Sequence, residues 1–354
     1  LRRAVLPTPN FWGIFMHVRS LPALALCVAG LSVSHCAWAQ TSVTLYGLVG
    51  LDMASSKRSG GPPATLLQQA PGLTAPYWGV KTTEDLGGGT RAIAVLESFF
   101  QPDTGGMGRT SADPFWGRNS YVGLEGRFGK LTFGRHTNLM YLGEQTLNPF
   151  QASILFSPLV MQTFVASYGG AIAGDTVWND GIQYSSPNLN GLKATAVYAL
   201  GGKPGAPGVY NTAASLHYTS AAFTAVATVQ RNRIVAGAAA PSQDAYLAGA
   251  TYDFTWLKLY GAVQGTRTNA TDIGSHTYEV GASVPLTAQL SLLGEWANTR
   301  RTAPRGVATT RNTAAAGLDY AFSKRTDVYA VSVYDRQSGS ATAMTYAIGM
   351  RHLF

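Results

Sequence analysis

The chain has 354 residues, of which only 12% are charged although 46% are hydrophobic and 40 are glycine. A soluble domain typically carries roughly 25% charged residues, and 17 tyrosines, 14 phenylalanines and 7 tryptophans at so low a charge exclude disorder and suit a boundary between hydrocarbon and water. The formal net charge of +8 is modest and no basic helix concentrates it, which argues against a nucleic-acid partner.

Taken in chain order, the first element is a leader. Arg19 precedes an apolar run from Leu21 to Val33, and Ala37-Trp38-Ala39 follows as an A-x-A cleavage signal. These features predict a secretory signal peptide over residues 1–39, with translation from Met16 and a mature chain starting at Gln40. Both cysteines, Cys27 and Cys36, fall inside that leader, so residues 40–354 hold no disulfide and no thiolate metal site. Beyond the leader no run of 18 apolar residues occurs, which excludes helical membrane spans on length.

From Val43 onward the texture has period 2. Val43, Leu45, Val49 and Leu51 alternate with Thr44, Tyr46, Gly50 and Asp52, giving one apolar and one wetter face. Leu257, Leu259 and Val263 alternate with Lys258, Tyr260 and Gln264, and Tyr278, Val280, Ala282 and Val284 with Thr277, Glu279, Gly281 and Ser283. At the end Tyr346, Ile348, Met350 and Phe354 share a face opposite Thr345, Ala347, Gly349 and Arg351.

A soluble β-sandwich would alternate in the same way, so connection length has to discriminate. Short turns at 84–89, 126–130, 187–191 and 323–325 take turns with longer polar stretches at 54–75, 101–114, 230–244 and 298–311. Transmembrane barrels have that asymmetry, with short turns on one side of the membrane and long loops on the other. A span of about 10 residues plus one connection uses roughly 20, so residues 40–354 predict an all-β fold, a closed antiparallel transmembrane barrel of about 16 strands. Tyr46, Tyr77, Trp78, Tyr121, Tyr252, Trp256, Trp296, Tyr320 and Tyr346 read as aromatic girdles at the two interfaces.

Six segments, in order, resemble one family. SVTLYGLVGLD (42–52), WGVKTTEDLGGGTRAIAVLESFF (78–100), GRNSYVGLEGRFGKLTFGRH (117–136), GIQYSSPNLNGLKA (181–194), GLDYAFSKRTDVYA (317–330) and the terminus GMRHLF (349–354) are similar to the general-diffusion porins of β-proteobacteria. The resemblance covers nearly all of residues 41–354. It implies a homotrimer of 16-stranded barrels in the outer membrane of a Gram-negative bacterium, with a third loop folded inward to narrow the pore. It implies an open channel for passive diffusion of small hydrophilic solutes and ions. It also implies contact with outer-membrane lipids and lipopolysaccharide, and a C-terminal signal read by the barrel assembly machinery: Phe354 with Met350, Ile348 and Tyr346 at alternating positions.

The same resemblance nominates constriction residues. Arg118 and Arg135 match its characteristic arginines, and the segment 137–176 resembles its third loop, with Glu144 and Asp175 as its only charged side chains. The middle of that loop, Ile154 to Val165, is apolar, so burial requires folding against the wall or packing at a subunit contact; the alternative is a mobile apolar surface loop. On the third strand, Arg91 and Glu97 share the face opposite Ala92, Ala94, Leu96 and Phe100. Pleat parity puts Arg118 opposite Tyr121 and would turn Val122 and Leu124 inward unless a bulge intervenes. Two departures thin the basic side. Pro76-Tyr77 replaces a usual Ser-Arg in the second strand, and 177–180 reads Val-Trp-Asn-Asp where an arginine is frequent. The expectation is therefore a modest anion preference, with a substrate-specific channel for small organic anions as the alternative.

Catalytic, cofactor and metal signatures are absent from the sequence. His136, His217, His276 and His352 are scattered singly, Gly87-Gly88-Gly89 lacks the Lys-Ser/Thr of a phosphate loop, and Gly105, Gly106 and Gly108 lack dinucleotide spacing. A Ser, His and acid converging on an outward face, as a barrel-borne lipase needs, is not testable by sequence.

Overall fold

The computed structural model describes residues 41–62, 65–69, 72–200, 210–233, 242–302, 304 and 306–354. The leader, with Met16, Cys27, Cys36 and the cleavage site after Ala39, lies outside the described residues. One antiparallel sheet runs through the rest, its strands being β1 (Ser42–Ser56), β2 (Thr65–Gln69), β3 (Tyr77–Asp85), β4 (Arg91–Phe99), β5 (Ser120–Gly126), β6 (Gly129–Thr137), β7 (Val177–Ser185), β8 (Leu192–Ala199) and β9 (Asn211–Ser220). They continue as β10 (Phe223–Arg233), β11 (Ser242–Asp253), β12 (Lys258–Thr268), β13 (Ile273–Pro285), β14 (Leu290–Thr302), β15 (Thr309–Ala321), β16 (Thr326–Gln337) and β17 (Ala343–Leu353).

From β3 to β17 each strand pairs with the next along the chain, and β1 pairs with β17, which closes the ring. Segments β2 and β3 both lie along β1, Asp52 facing Gln69 and Leu48 facing Tyr77, so these two pieces form one interrupted stave of a closed 16-stranded barrel. The seam is sealed by the last residue. Gly47 N–H donates to the Phe354 carbonyl and Phe354 N–H to the Gly47 carbonyl, each at 3.1 Å. Closure leaves no unpaired edge, which a hydrocarbon environment requires because nothing there can satisfy free N–H or C=O groups.

The alternation read from sequence maps onto the two faces. Val43, Leu45, Val49 and Met53 point outward and are exposed, whereas Leu48, Asp52 and Ala54 are buried inside. Val280 and Tyr278 face out, and Thr277 and Glu279 face in. The girdle expectation needs correction at three tyrosines. The Tyr46 hydroxyl donates to Glu97, Tyr77 lies under a guanidinium, and Tyr121 stacks on His136 at 5.1 Å, so all three belong to the interior. The outward rings cluster instead as Tyr252, Phe254 and Trp256, and as Tyr320 with Phe322, beside the short turns.

Connections alternate in character, as expected. Those at 86–90, 127–128, 186–191, 221–222 and 254–257 share one end of the barrel, and those at 100–119 and 138–176 share the other. The segment 138–176 does not stand in solvent. It forms helices α1 (Leu139–Thr146) and α2 (Pro158–Phe164) and a 3-10 turn (Ala166–Tyr168), packed inside the barrel. Phe156, Leu159, Val160 and Met161 are completely buried there, against wall residues such as Val226, Leu247, Ala315 and Val333. Full burial of such a side chain is worth roughly 1.5–3 kcal/mol, against about 1–2 kcal/mol of backbone entropy per ordered residue. The apolar density of this loop therefore fixes it to the wall.

Candidate pore constriction

Each helix of the inward loop is capped at its N-terminus by a side chain of the loop itself. Asn138 Oδ1 accepts from Met140 N–H at 2.7 Å and starts α1. Ser157 Oγ accepts from Val160 N–H at 3.3 Å and Pro158 occupies the first position of α2, where a missing N–H costs nothing. Glu295, projecting from β14, completes the arrangement: its Oε1 accepts from Leu159 N–H at 2.8 Å and from Ser157 Oγ at 3.0 Å. The far end is pinned by Arg311 on β15, which donates to the Tyr168 carbonyl and lies 4.5 Å from the Tyr168 ring centroid. Arg311 is itself held by Asp335 on β16, with Nε–Oδ1 at 2.8 Å, and the pair is buried.

On the wall the central group is Glu97, only 4% exposed. Its Oε2 lies 2.5 Å from Arg118 Nη1 and accepts from Asn119 Nδ2 at 2.5 Å, while Oε1 accepts from the Tyr46 hydroxyl at 2.8 Å. Arg118 sits 4.0 Å above the Tyr77 ring. The strict parity expectation fails here. Val122 and Leu124, expected to turn inward with Arg118, face outward at 58% and 42% exposure. A bulge resolves the conflict: Arg118 N–H donates to the Glu97 carbonyl and Glu97 N–H to the Asn119 carbonyl, so two residues oppose one and both side chains reach the interior.

Arg135 is placed differently. Its register partner is Ser120, in the row of Val122 and Phe133, and it sits at a second bulge between Gly134 and His136. Gly134 has φ +138° there, and a Cβ would come within 2.2 Å of the Ser120 carbonyl, so no other residue fits. The Arg135 guanidinium donates to the Gly117 carbonyl at 2.8 Å and to Asn179, and lies 3.8 Å from Asp175. Arg91 stands beside the 86–90 turn, paired with Glu125 at 2.9 Å, at a mouth of the barrel. Glu144, expected at the eyelet, is instead fully buried between the loop and the wall, where its Oε2 accepts from Thr163 at 2.8 Å. Burial pushes its carboxyl well above the ordinary range, and its hydrogen bonds offset this only in part.

Two groups escaped the sequence reading. Arg109, in the 100–119 connection, grips Asp113 at 2.7 Å and Asp175 at 2.8 Å. Burial opposes the charge on Asp175, yet the Arg109 contacts outweigh it and hold that carboxyl below its usual range. Lys81 faces inward between Thr44 and Val95 and is exposed. Pleat parity with Gly79 could have found Lys81, whereas nothing in an aperiodic loop marks Arg109. Every loop carboxylate is thus buried or matched: Glu144 beneath the loop, Asp175 by Arg109.

Comparison with known proteins agrees with this geometry. The family model described as Gram-negative porin matches residues 23–340. Outer membrane porin protein 32 of Delftia acidovorans is 29% identical over 280 residues, covering 76% of each chain. An outer membrane porin of Bordetella pertussis is 26% identical over 322 residues, covering 78% of this chain and 82% of the relative. Among solved structures, an anion-selective porin from Comamonas acidovorans superposes with a TM-score of 0.75 at 22% identity, over 89% of this chain and all of that one. A closed 16-stranded barrel with an inward loop, matched by this family model over most of its length, belongs to the Gram-negative porin family of the outer membrane.

Proposed function

We propose that the barrel is a water-filled channel for passive diffusion of small hydrophilic solutes, with a modest preference for anions. The observation that carries the preference is the pairing pattern at the constriction. Arg118 and Lys81 stand on the inward wall, while the inward loop offers no unmatched carboxylate against them. A barrel of 16 strands is too wide for its side chains to fill, so its lumen is aqueous. Low-dielectric walls then focus the positive potential, and screening over about 8 Å is incomplete in a narrow pore. The anion-selective Comamonas porin of the same fold supports this reading.

Residues 1–39 act as the export signal on this reading, and Phe354 with the outward row Met350, Ile348 and Tyr346 as the assembly signal. Three copies would associate as a homotrimer, each with its own pore. Single-channel recording of the purified protein in planar bilayers tests the channel: stepwise, voltage-linear conductance supports it, and saturation with one organic anion would favour a substrate-specific pore.

A further inference from the structure

A cavity of about 70 Å³ lies between the 3-10 turn of the inward loop and strands β14–β16. One water needs about 10–15 Å³ by the same measure, so the space admits several waters or one small ion. Its lining contains two arginines and no acidic side chain. Arg311 is committed: Nε and Nη2 engage Asp335, and Nη1 donates to the Tyr168 carbonyl. Arg301 is not. It faces inward between Ser275 and Thr309, and among the described residues it has no ion pair and no hydrogen bond.

Gln162 in the lining keeps an acceptor without a partner, its Oε1, since its Nε2 donates to the Ala297 carbonyl and to Thr313, whereas the polar groups on β15 and β16 can donate. Gln337 Oε1 accepts from Arg311 Nη1 at 3.4 Å, which assigns the amide orientation and leaves Gln337 Nε2 as a donor. The Thr309 hydroxyl, also in the lining, has no partner among the described residues. A guanidinium presents a planar fork suited to two oxygens of one oxyanion, and uncompensated donors around it favour that charge. We infer that Arg301, Thr309 and Gln337 form a binding site for a small oxyanion, inorganic phosphate or a carboxylate, separate from the Arg118 constriction. It lies toward the long connections, where β14 ends and β15 begins. The inference rests on an aqueous lumen and not on the ion preference assigned above.

The probe is inorganic phosphate added to one side of the purified, unheated protein in planar bilayers carrying potassium chloride current. Phosphate should reduce the current at lower concentration from the side of the long connections than from the other. Arg301→Gln should raise the half-blocking concentration about tenfold, as expected for loss of one charged hydrogen-bonding group, while leaving the chloride reversal potential unchanged. Arg118→Ala should do the reverse, shifting the reversal potential and keeping the phosphate block. Direct phosphate binding to the detergent-solubilised protein, followed by phosphorus NMR, reads the site even where no current is seen, and Arg301→Gln should weaken it by the same factor. Equal block or equal binding in wild type and Arg301→Gln would overturn the assignment, as would no phosphate binding to wild type.

Discussion

Arg118 Nη1 and Glu97 Oε2 lie 2.5 Å apart, with the carboxylate almost wholly buried and the guanidinium side chain 26% exposed. The pair is therefore asymmetric toward the lumen: its positive end meets water and its negative end is covered. Tyr46 and Asn119 satisfy the carboxylate from within the wall, so it lies beside the pore without being presented to it.

Substitutions of the two partners should move ion selectivity in opposite directions. Arg118→Ala removes the exposed charge and leaves Glu97 unmatched, so anion preference should fall and conductance rise slightly. Glu97→Gln keeps the shape and, with its amide oxygen toward Arg118 and Asn119, those contacts, its amide N–H donating to the Tyr46 oxygen in place of the present bond; it removes the counter-charge, so anion preference should increase. Reversal potentials in a potassium chloride gradient read both, and shifts of the same sign would show that the pair does not face the ion path. Arg267→Gln, at an exposed outward pair with Asp272, is the control and should change neither.

The buried pair under the loop is predicted to matter for stability. Removing one partner of a buried, hydrogen-bonded ion pair costs about 3–5 kcal/mol. Asp335→Ala strands Arg311 and also removes the acceptor of Ser59 N–H at 2.8 Å. The temperature at which the unheated species on a gel converts to monomer should drop, and an unchanged conversion temperature would count against this role.

Docking of the inward loop should weaken at alkaline pH. The docked Glu144 holds its proton above the ordinary carboxyl range because burial disfavours the charge. An undocked Glu144 would lose that proton near the usual value of about 4.3. Docking is therefore at full strength below that pH and declines as pH rises toward the docked group's raised value. Glu295 adds to the effect through its proximity, and Thr163 and Gln264 oppose it through hydrogen bonds. Current fluctuations should grow as pH is raised above about 4.3, and Glu144→Gln should reduce that growth. Identical pH profiles would assign the fluctuations elsewhere.

Deletion of Phe354 removes both hydrogen bonds across the seam with Gly47. Its ring also contacts that point closely, since a Cβ on Gly47 would come within 2.6 Å of it. Outer-membrane levels should fall several-fold with synthesis unchanged, measured by fractionation against total protein. Normal levels would show that neither closure nor recognition depends on this residue.

The architecture was legible because one face of each strand meets hydrocarbon. Val43, Leu45 and Val49 could not be buried in any register other than the outward one, and the long apolar stretch from Ile154 to Val165 had no stable place in solvent. Parity failed where hydrogen bonding departs from the regular ladder. The bulge opposite Glu97 sends Arg118 inward while Val122 and Leu124 stay outside, and the one at Gly134 takes Arg135 out of phase. Tyr46, Tyr77 and Tyr121 were misread as girdle residues because a ring with a polar tip suits an interface and a polar lumen equally. The burial of Glu144 depends on which side of the loop meets the wall, a long-range contact that local sequence does not encode.

The reversal potential of the wild-type pore in a potassium chloride gradient tests the central claim most directly. Purified protein in planar bilayers should show stepwise conductance and a reversal potential displaced toward that of chloride, with the displacement shrinking as salt is raised. A displacement toward the potassium potential, or no conductance from folded protein, would contradict the account.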